Sequence, residues 1–318
     1  MAKRAVYFFC TQSPDPAAVH VAPIVWDVLK AEGKLNESAG FQFDGLEVMK
    51  HTDARGDQFY FVPTRTSLCL DYPRYLPEMN QRFSDFDVSG MVTWHAGANA
   101  PANVITVHSL GDVNSGVFGA AKPRLMRNLL KAFDRHRAEL GLEGYHVSTE
   151  ATHWSGVHDG HGDPSLLIRF PVTMMDVEVG SDESSWSDPV PCTALARALT
   201  EVFEDDGKKV HNLLCIGGVH FEPSFAEAAL TEWGDGAFGV THILANQWLV
   251  SGHYEDESGA ERAAAAAEAI EGGISAVVMH DKLKGCYKDL ARKLGARFGV
   301  PVCKHQKLRT PLEMELAD

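Results

Sequence analysis

Leu213-Leu214-Cys215-Ile216-Gly217-Gly218-Val219-His220-Phe221-Glu222-Pro223 reads as a strand, a turn and the opening of a helix. The unbroken apolar run predicts a strand over 212–216. Two glycines then permit a backbone geometry or a close approach that other residues forbid. Pro223 suits the first turn of a helix, predicted over 223–233. The histidine is left on the loop between strand and helix. Sites of α/β proteins are assembled at such places, because loops carry chemistry while the sheet holds it still.

The same arrangement recurs along the chain. Thr106-Val107-His108 ends a predicted strand over 103–108, Glu150-Ala151-Thr152-His153 follows one over 145–149, and Val240-Thr241-His242 closes one over 237–243. Further strands are expected at 4–10, 58–62, 90–95, 166–170, 173–179, 274–279 and 300–303. Helices are expected at 16–32, 122–140, 192–205, 258–272 and 284–298. The helix over 122–140 has Pro123 in its first turn and a stripe of Leu125, Met126, Leu129, Leu130 and Phe133. Strands alternating with helices predict an α/β fold, a mixed sheet flanked by helices, in one domain over 1–318. Segment 33–57 is polar and Gly-rich, an edge hairpin or excursion, and Asp205-Asp206-Gly207-Lys208-Lys209 offers a subdivision near 206.

Hydrophobic residues make up 45% of the chain and charged residues 23%, values of a globular protein with a sizeable core. No apolar stretch reaches the 18 residues of a membrane span, and the run Ala5–Cys10 is shorter than a signal peptide core. The six cysteines lack any Cys-x-x-Cys pair, so neither a disulfide framework nor a cysteine zinc knuckle is suggested. A reduced, cytoplasmic setting is expected. A net charge of −14 argues against nucleic-acid binding by the whole surface. Residues 282–309, however, carry Lys282, Lys284, Lys288, Arg292, Lys293, Arg297, Lys304, Lys307 and Arg309 against the single acid Asp289. They form either a solvated helix face or a local landing patch for phosphates.

Histidine can serve near neutral pH as base, acid or metal ligand. Among the strand-end histidines, His220 carries the strongest case for chemistry. Glu150 and His153 could share a metal or a proton, and His158 and His161 could ligate zinc only if their loop folds back. The turn after His108, Gly111-Asp112-Val113-Asn114, could cradle an anion through its backbone amides. Ser181 is expected to cap a helix with Asp182 and Glu183 in its first turn. Glu178, inside a hydrophobic run, is either outward-facing or buried with a partner.

Taken in order, these segments resemble the D-aminoacyl-tRNA deacylases of the archaeal and plant type. The resemblance rests on Gly217, Gly218, His220 and Pro223; on Glu150 to His153; on Val177 to Ser181 with Glu183 and Trp186; on Val107-His108; on His242 to Leu244; and on Lys282 to Lys284. Asp15-Pro16-Ala17 fits more loosely. Trp154 stands where the family has a second histidine, Val219 replaces a glycine, Phe221 a tyrosine, and Glu222 a small residue. The resemblance implies a fold similar to peptidyl-tRNA hydrolases and nucleoside phosphorylases. It also implies hydrolysis of the ester joining a D-amino acid to tRNA, and it suggests zinc.

On this reading His220 and His153 are metal ligands or proton-transfer groups, with Glu150 as a third ligand, an orienter or the base. Amides around Gly217 and Gly218 donate to the oxyanion. His108, Asn114, Glu178, Glu222, His242, Lys282 and Lys284 are expected around the substrate, the two lysines on terminal phosphates of tRNA. The alternatives are a metal-dependent hydrolase or biosynthetic enzyme acting on a small ester, an amide or another aminoacyl-tRNA, and an inactive tRNA- or nucleotide-binding protein.

Overall fold

The computed structural model describes residues 2–12, 20–97, 99–158, 160 and 162–317. An eight-stranded mixed sheet runs from edge to edge through Glu37–Phe43, Leu46–Thr52, Gln58–Thr64, Arg4–Cys10, Val88–Ala96, Met174–Ser181, Asn103–Ser109 and His146–Thr149. A five-stranded sheet runs through Glu232–Trp233, Gly236–Leu244, Lys209–Ile216, Ala276–Met279 and Val302–Lys304. All but the first of these five are parallel. The α/β character read from the sequence is therefore observed, with the strands divided between two sheets.

The sheets meet at the segment after strand His146–Thr149. Ala151 donates its N–H to His220 O at 2.9 Å, and Thr152 donates to Ile243 O at 3.0 Å. The stretch Glu150–His153 is thus held in the seam, bonded to the loop and strand of the smaller sheet. Apolar packing is continuous around it: Val107, Val177, Leu129, Phe133, Leu213 and Val240 belong to one buried cluster. Each such side chain contributes about 1.5–3 kcal/mol by leaving water.

Helix Pro123–Glu139 follows its predicted stripe and buries Met126, Leu129, Leu130 and Phe133. Its Arg127, almost wholly buried, reaches Asp206 at 2.8 Å and also pairs with Glu232. Arg124 holds Asp205 and Lys131 holds Asp206, each at 2.8 Å, so the segment near 206 is pinned to this helix.

Segment 33–57 is a hairpin at the edge of the larger sheet, formed by Glu37–Phe43 and Leu46–Thr52. The predicted strand 166–170 is instead a 3-10 helix, Pro164–Arg169. Asp163 caps it by accepting from Ser165 N, and Pro164 occupies its first turn. Helix Tyr72–Phe83 was not expected, because Pro73 and Pro77 disguise it. Its buried residues Tyr72, Tyr75, Leu76, Met79 and Phe83 nevertheless keep helical spacing. No described helix is long and apolar enough to cross a membrane.

Candidate functional site

Strand register brings the functional side chains together. Asp176 lies opposite His108, and Glu178 opposite Thr106, across the antiparallel pair. Asp176 and Glu178 are two residues apart and share one face of their strand. Gly180 lies opposite His95, where a Cβ would meet His95 backbone at 2.7 Å, so only glycine fits. Glu150 projects from the seam among these residues and is fully buried.

His220 donates its Nε2–H to Glu150 Oε2 at 2.7 Å. His95 Nε2 stands 3.6 Å from the same oxygen, while its Nδ1 hydrogen-bonds Ser181 Oγ at 2.8 Å. His108 Nε2 lies 3.5 Å from Asp176 Oδ2 and 3.8 Å from Glu178 Oε1. His153 is tied through Nδ1 to Ala151 O at 2.9 Å and stacks on His108 with ring centres 4.0 Å apart. Trp248 also stacks on His153, with ring centres 5.7 Å apart.

This cluster holds a surplus of polar atoms. Glu150 Oε1, His108 Nε2, both oxygens of Asp176 and Glu178 Oε2 are buried without a hydrogen-bond partner. Buried polar groups in native proteins are almost always paired, so such a concentration marks a place built for something else. Burial raises the Glu150 carboxyl, but the His220 hydrogen bond and the imidazoles of His108, His95 and His153 outweigh it and hold Glu150 well below the usual carboxylate range. Burial pushes His95 down and His153 far down. It pushes Asp176 and Glu178 well above ordinary carboxyls, against the pull of His108 on Asp176. Burial and the imidazoles thus push Glu150 and its two carboxyl neighbours in opposite directions, the kind of separation that suits groups with different proton-transfer roles.

The cluster opens into a cavity of about 400 Å³. His95, His153, Glu178 and His220 line it on the polar side, and Leu70, Trp94, Trp248, Ser67, Cys69 and Gln247 complete the wall. Trp154, the bulky departure from the family pattern, is not on that wall. It is buried in a second hydrophobic cluster against Tyr72, with ring centres 5.2 Å apart.

Of the expected site residues, His220, His153, Glu150, His108 and Glu178 converge here, Glu178 being buried and not outward-facing. Others lie elsewhere. His242 is fully buried, bonded through Nε2 to Gly119 O at 3.1 Å and through Nδ1 to Thr152 Oγ1 at 3.2 Å; burial pushes it down to about 4. Asn114 sits on an exposed hairpin turn, where Ser251 donates to its Oδ1 at 2.6 Å. Gly217 and Gly218 adopt φ of 93° and 79°, which explains the glycines. The Gly217 amide is spent on Leu244 O at 2.8 Å, which corrects its expected role as an oxyanion donor. Glu222 caps helix Pro223–Leu230 by accepting from Ser224 N. Lys282 and Lys284 are exposed beyond strand Ala276–Met279. Ser181 belongs to strand Met174–Ser181; Asp182 is the helix cap, because Ser181 Oγ is engaged by His95. His161, the side chain of His158 and Asp15-Pro16-Ala17 lie outside the described residues.

Two residues of the cluster went unread in the sequence. His95 ends the apolar run Met91-Val92-Thr93-Trp94 before Gly97, the same signal that marked the other histidines. Asp176 was detectable from its alternation with Glu178.

The model of the D-aminoacyl-tRNA deacylase family matches residues 82–303, which include every member of this cluster. The chain belongs to that family. A D-aminoacyl-tRNA deacylase of Methanocorpusculum labreanum is 32% identical over 162 residues, covering 49% of this chain and 32% of that relative. One from Haloarcula marismortui is 30% identical over 179 residues, covering 52% and 35%. The matches thus span about a third of the length of these relatives. A crystal structure of a conserved protein of unknown function superposes with a TM-score of 0.72 at 18% identity, covering 97% of each chain, and shows that the fold of this deacylase-family member recurs in full.

Proposed function

We propose that this chain hydrolyses the ester joining an amino acid, in the D configuration, to the 3′ end of tRNA. The observation that carries the reading is the 2.7 Å contact of His220, on the wall of the cavity, with the ionised Glu150 buried behind it, in a chain of this family. Glu150 accepts the Nε2–H of His220, orients the ring and stabilises its charge when His220 takes a proton from the attacking water. His220 keeps 28% of its side chain exposed, so solvent and substrate reach it. Glu178, pushed by burial toward its protonated form and also on the wall, is placed to donate to the departing ribose oxygen. Water adds to the ester carbon, its proton passes to His220, and the sugar oxygen leaves with a proton from Glu178.

The cluster also fits zinc. His108, Glu150 and His153 each bring a ligand atom within 4.8 Å of the others, and His95 Nε2 stands 3.6 Å from the same carboxylate, while His220, its Nε2–H held by Glu150, is left for the proton. Nitrogen and carboxylate donors suit that ion, and Ser181 on His95 Nδ1 is the outer hydrogen bond that such ligands use. Bound there, zinc would supply Lewis-acid polarisation of the ester carbonyl and a more acidic water. Lys282 and Lys284 would meet phosphates of the acceptor strand.

Incubation of the full chain with D- and L-aminoacyl-tRNA, with and without chelator, tests the proposal. Release of amino acid from the D-ester is expected. Cleavage of small amino-acid esters with no action on either aminoacyl-tRNA would contradict it.

A further inference from the structure

A second pair of histidines lies on the far side of the Gly217–Gly218 turn. Strands Lys209–Ile216, Ala276–Met279 and Val302–Lys304 are parallel neighbours, so their C-terminal ends share one edge. Ligands of α/β sheets bind outside that edge. Met279 is in register with Lys304, which sets His280 beside His305. Their rings stack with centres 4.2 Å apart and planes 19° from parallel. His280 donates its backbone N–H to Ile216 O at 2.8 Å, and a Cβ on Gly217 would meet the His280 Cβ at 3.0 Å, so the pair abuts the turn that carries His220.

The hydrogen bonds preset both rings as donors. His280 Nδ1 accepts from Lys282 N at 3.3 Å, and His305 Nδ1 accepts from Asp281 N at 3.2 Å. An imidazole that accepts at Nδ1 carries its proton at Nε2. That is the form that donates to an anion and the wrong one for a metal ligand. Glu222 Oε2 lies 3.6 Å from His280 Nε2, too far to consume the proton. Asp281 Oδ1, at 4.0 Å from His305 Nδ1, is the other acid present.

The basic stretch 282–309 sorts itself around this pair. Arg292 is spent on Asp289, Arg297 on Glu261 and Glu268, Lys307 on Glu313, and Arg309 faces Glu227. Lys282, Lys284 and Lys304, within four residues of His280 or His305 in the chain, pair with no acid among the described residues, nor do Lys288 and Lys293 farther along the helix. We propose that His280 and His305, with these three exposed lysines beside them in the chain, form a subsite for a phosphodiester of the acceptor strand, one step behind the reacting ester. The inference rests on the deacylase reading for the identity of the strand. It rests on the stacked pair and the unspent lysines for the site itself.

The test is equilibrium binding of an uncharged RNA hairpin ending in CCA to the full chain, compared with 5′-AMP and inorganic phosphate. The double variant H280Q/H305Q should bind the hairpin about tenfold more weakly. K304Q should flatten the salt slope by about one. K293Q, farther along the same basic stretch, should bind as the parent does. If H280Q/H305Q fails to fold, the exposed pair K282Q/K304Q carries the test with an expected slope change of about two. Parental affinity in the histidine variant, or an unchanged slope in the lysine variant, overturns the subsite. Binding of inorganic phosphate as tight as that of the hairpin also overturns the phosphodiester assignment. Histidine-dependent RNA binding without hydrolysis of any aminoacyl-tRNA would remove the deacylase reading and leave the subsite standing. Hydrolysis with RNA binding indifferent to these substitutions would do the reverse.

Discussion

Two imidazole–carboxylate contacts in this molecule look alike and differ in what surrounds them. On helix Pro123–Glu139, His136 bonds Glu139 through Nδ1 at 2.9 Å and Glu201 through Nε2 at 3.0 Å, so both nitrogens are satisfied. The Glu201 hydrogen bond, against burial, raises the His136 imidazole above its ordinary value. In the seam, His220 bonds Glu150 at 2.7 Å, but Glu150 Oε1, His108 Nε2 and the Asp176 oxygens remain unpaired nearby, beside an open cavity. The first contact is a closed ion pair that ties a helix to its neighbour. The second is part of a polar cluster that the protein leaves incomplete. The unpaired remainder, and not the histidine–carboxylate contact, distinguishes a site from a strut.

That distinction breaks first under substitutions in the seam. Glu150→Gln should lower the rate of deacylation by about 10²–10⁴-fold, because it removes the group that orients and charges His220. His153→Ala should also lose most activity, and it should lower the melting temperature as well, since its ring stacks with both His108 and Trp248. Unchanged turnover in either variant would place that residue outside the chemistry.

The metal sharpens the comparison. Zinc should accompany the purified chain in at least stoichiometric amount, and His95→Ala should reduce its content as measured by elemental analysis. Equal zinc in parent and variant would take His95 out of the ligand set. A smaller effect is expected from neutralising Lys282 and Lys284 together. The Michaelis constant for aminoacyl-tRNA should rise several-fold and the salt slope should fall by about two. Identical binding at every salt concentration would reduce both lysines to a solvated surface.

The smallest effect belongs to the strut. A histidine whose folded value is raised stabilises fully below its unfolded value near 6.5, and that contribution is lost as pH rises through the folded value. The parent should therefore lose stability to denaturant as pH rises above about 6.5 and through the raised folded value. His136→Gln should show a flatter profile, with activity retained. Parallel profiles would show that the His136 pair contributes nothing measurable.

Much of this was readable in the chain because apolar runs that stop at a histidine mark strand ends. His108, Glu150, His153 and His220 were found that way, and strand register did the rest. What local pattern does not carry is which strands become neighbours. His95 and Asp176 join the site only because Val88–Ala96 and Asn103–Ser109 flank Met174–Ser181. His242 obeyed the same sequence rule and was captured by Gly119 and Thr152 inside the core. The split into two sheets was equally hidden, since the strands of both are short apolar runs with similar spacing. Gly217 shows the limit for backbone roles: its glycine is explained by φ, while the partner of its amide is set by the adjoining strand.

The central claim is that His220, oriented by Glu150, is the base for hydrolysis of a D-aminoacyl ester on tRNA. Single-turnover release of the D-amino acid by the parent and by His220→Ala, at matched melting temperature, tests it most directly. The account predicts rapid release by the parent, slower release of the L-amino acid, and about a thousandfold loss in the variant. Parental rates in His220→Ala would contradict it.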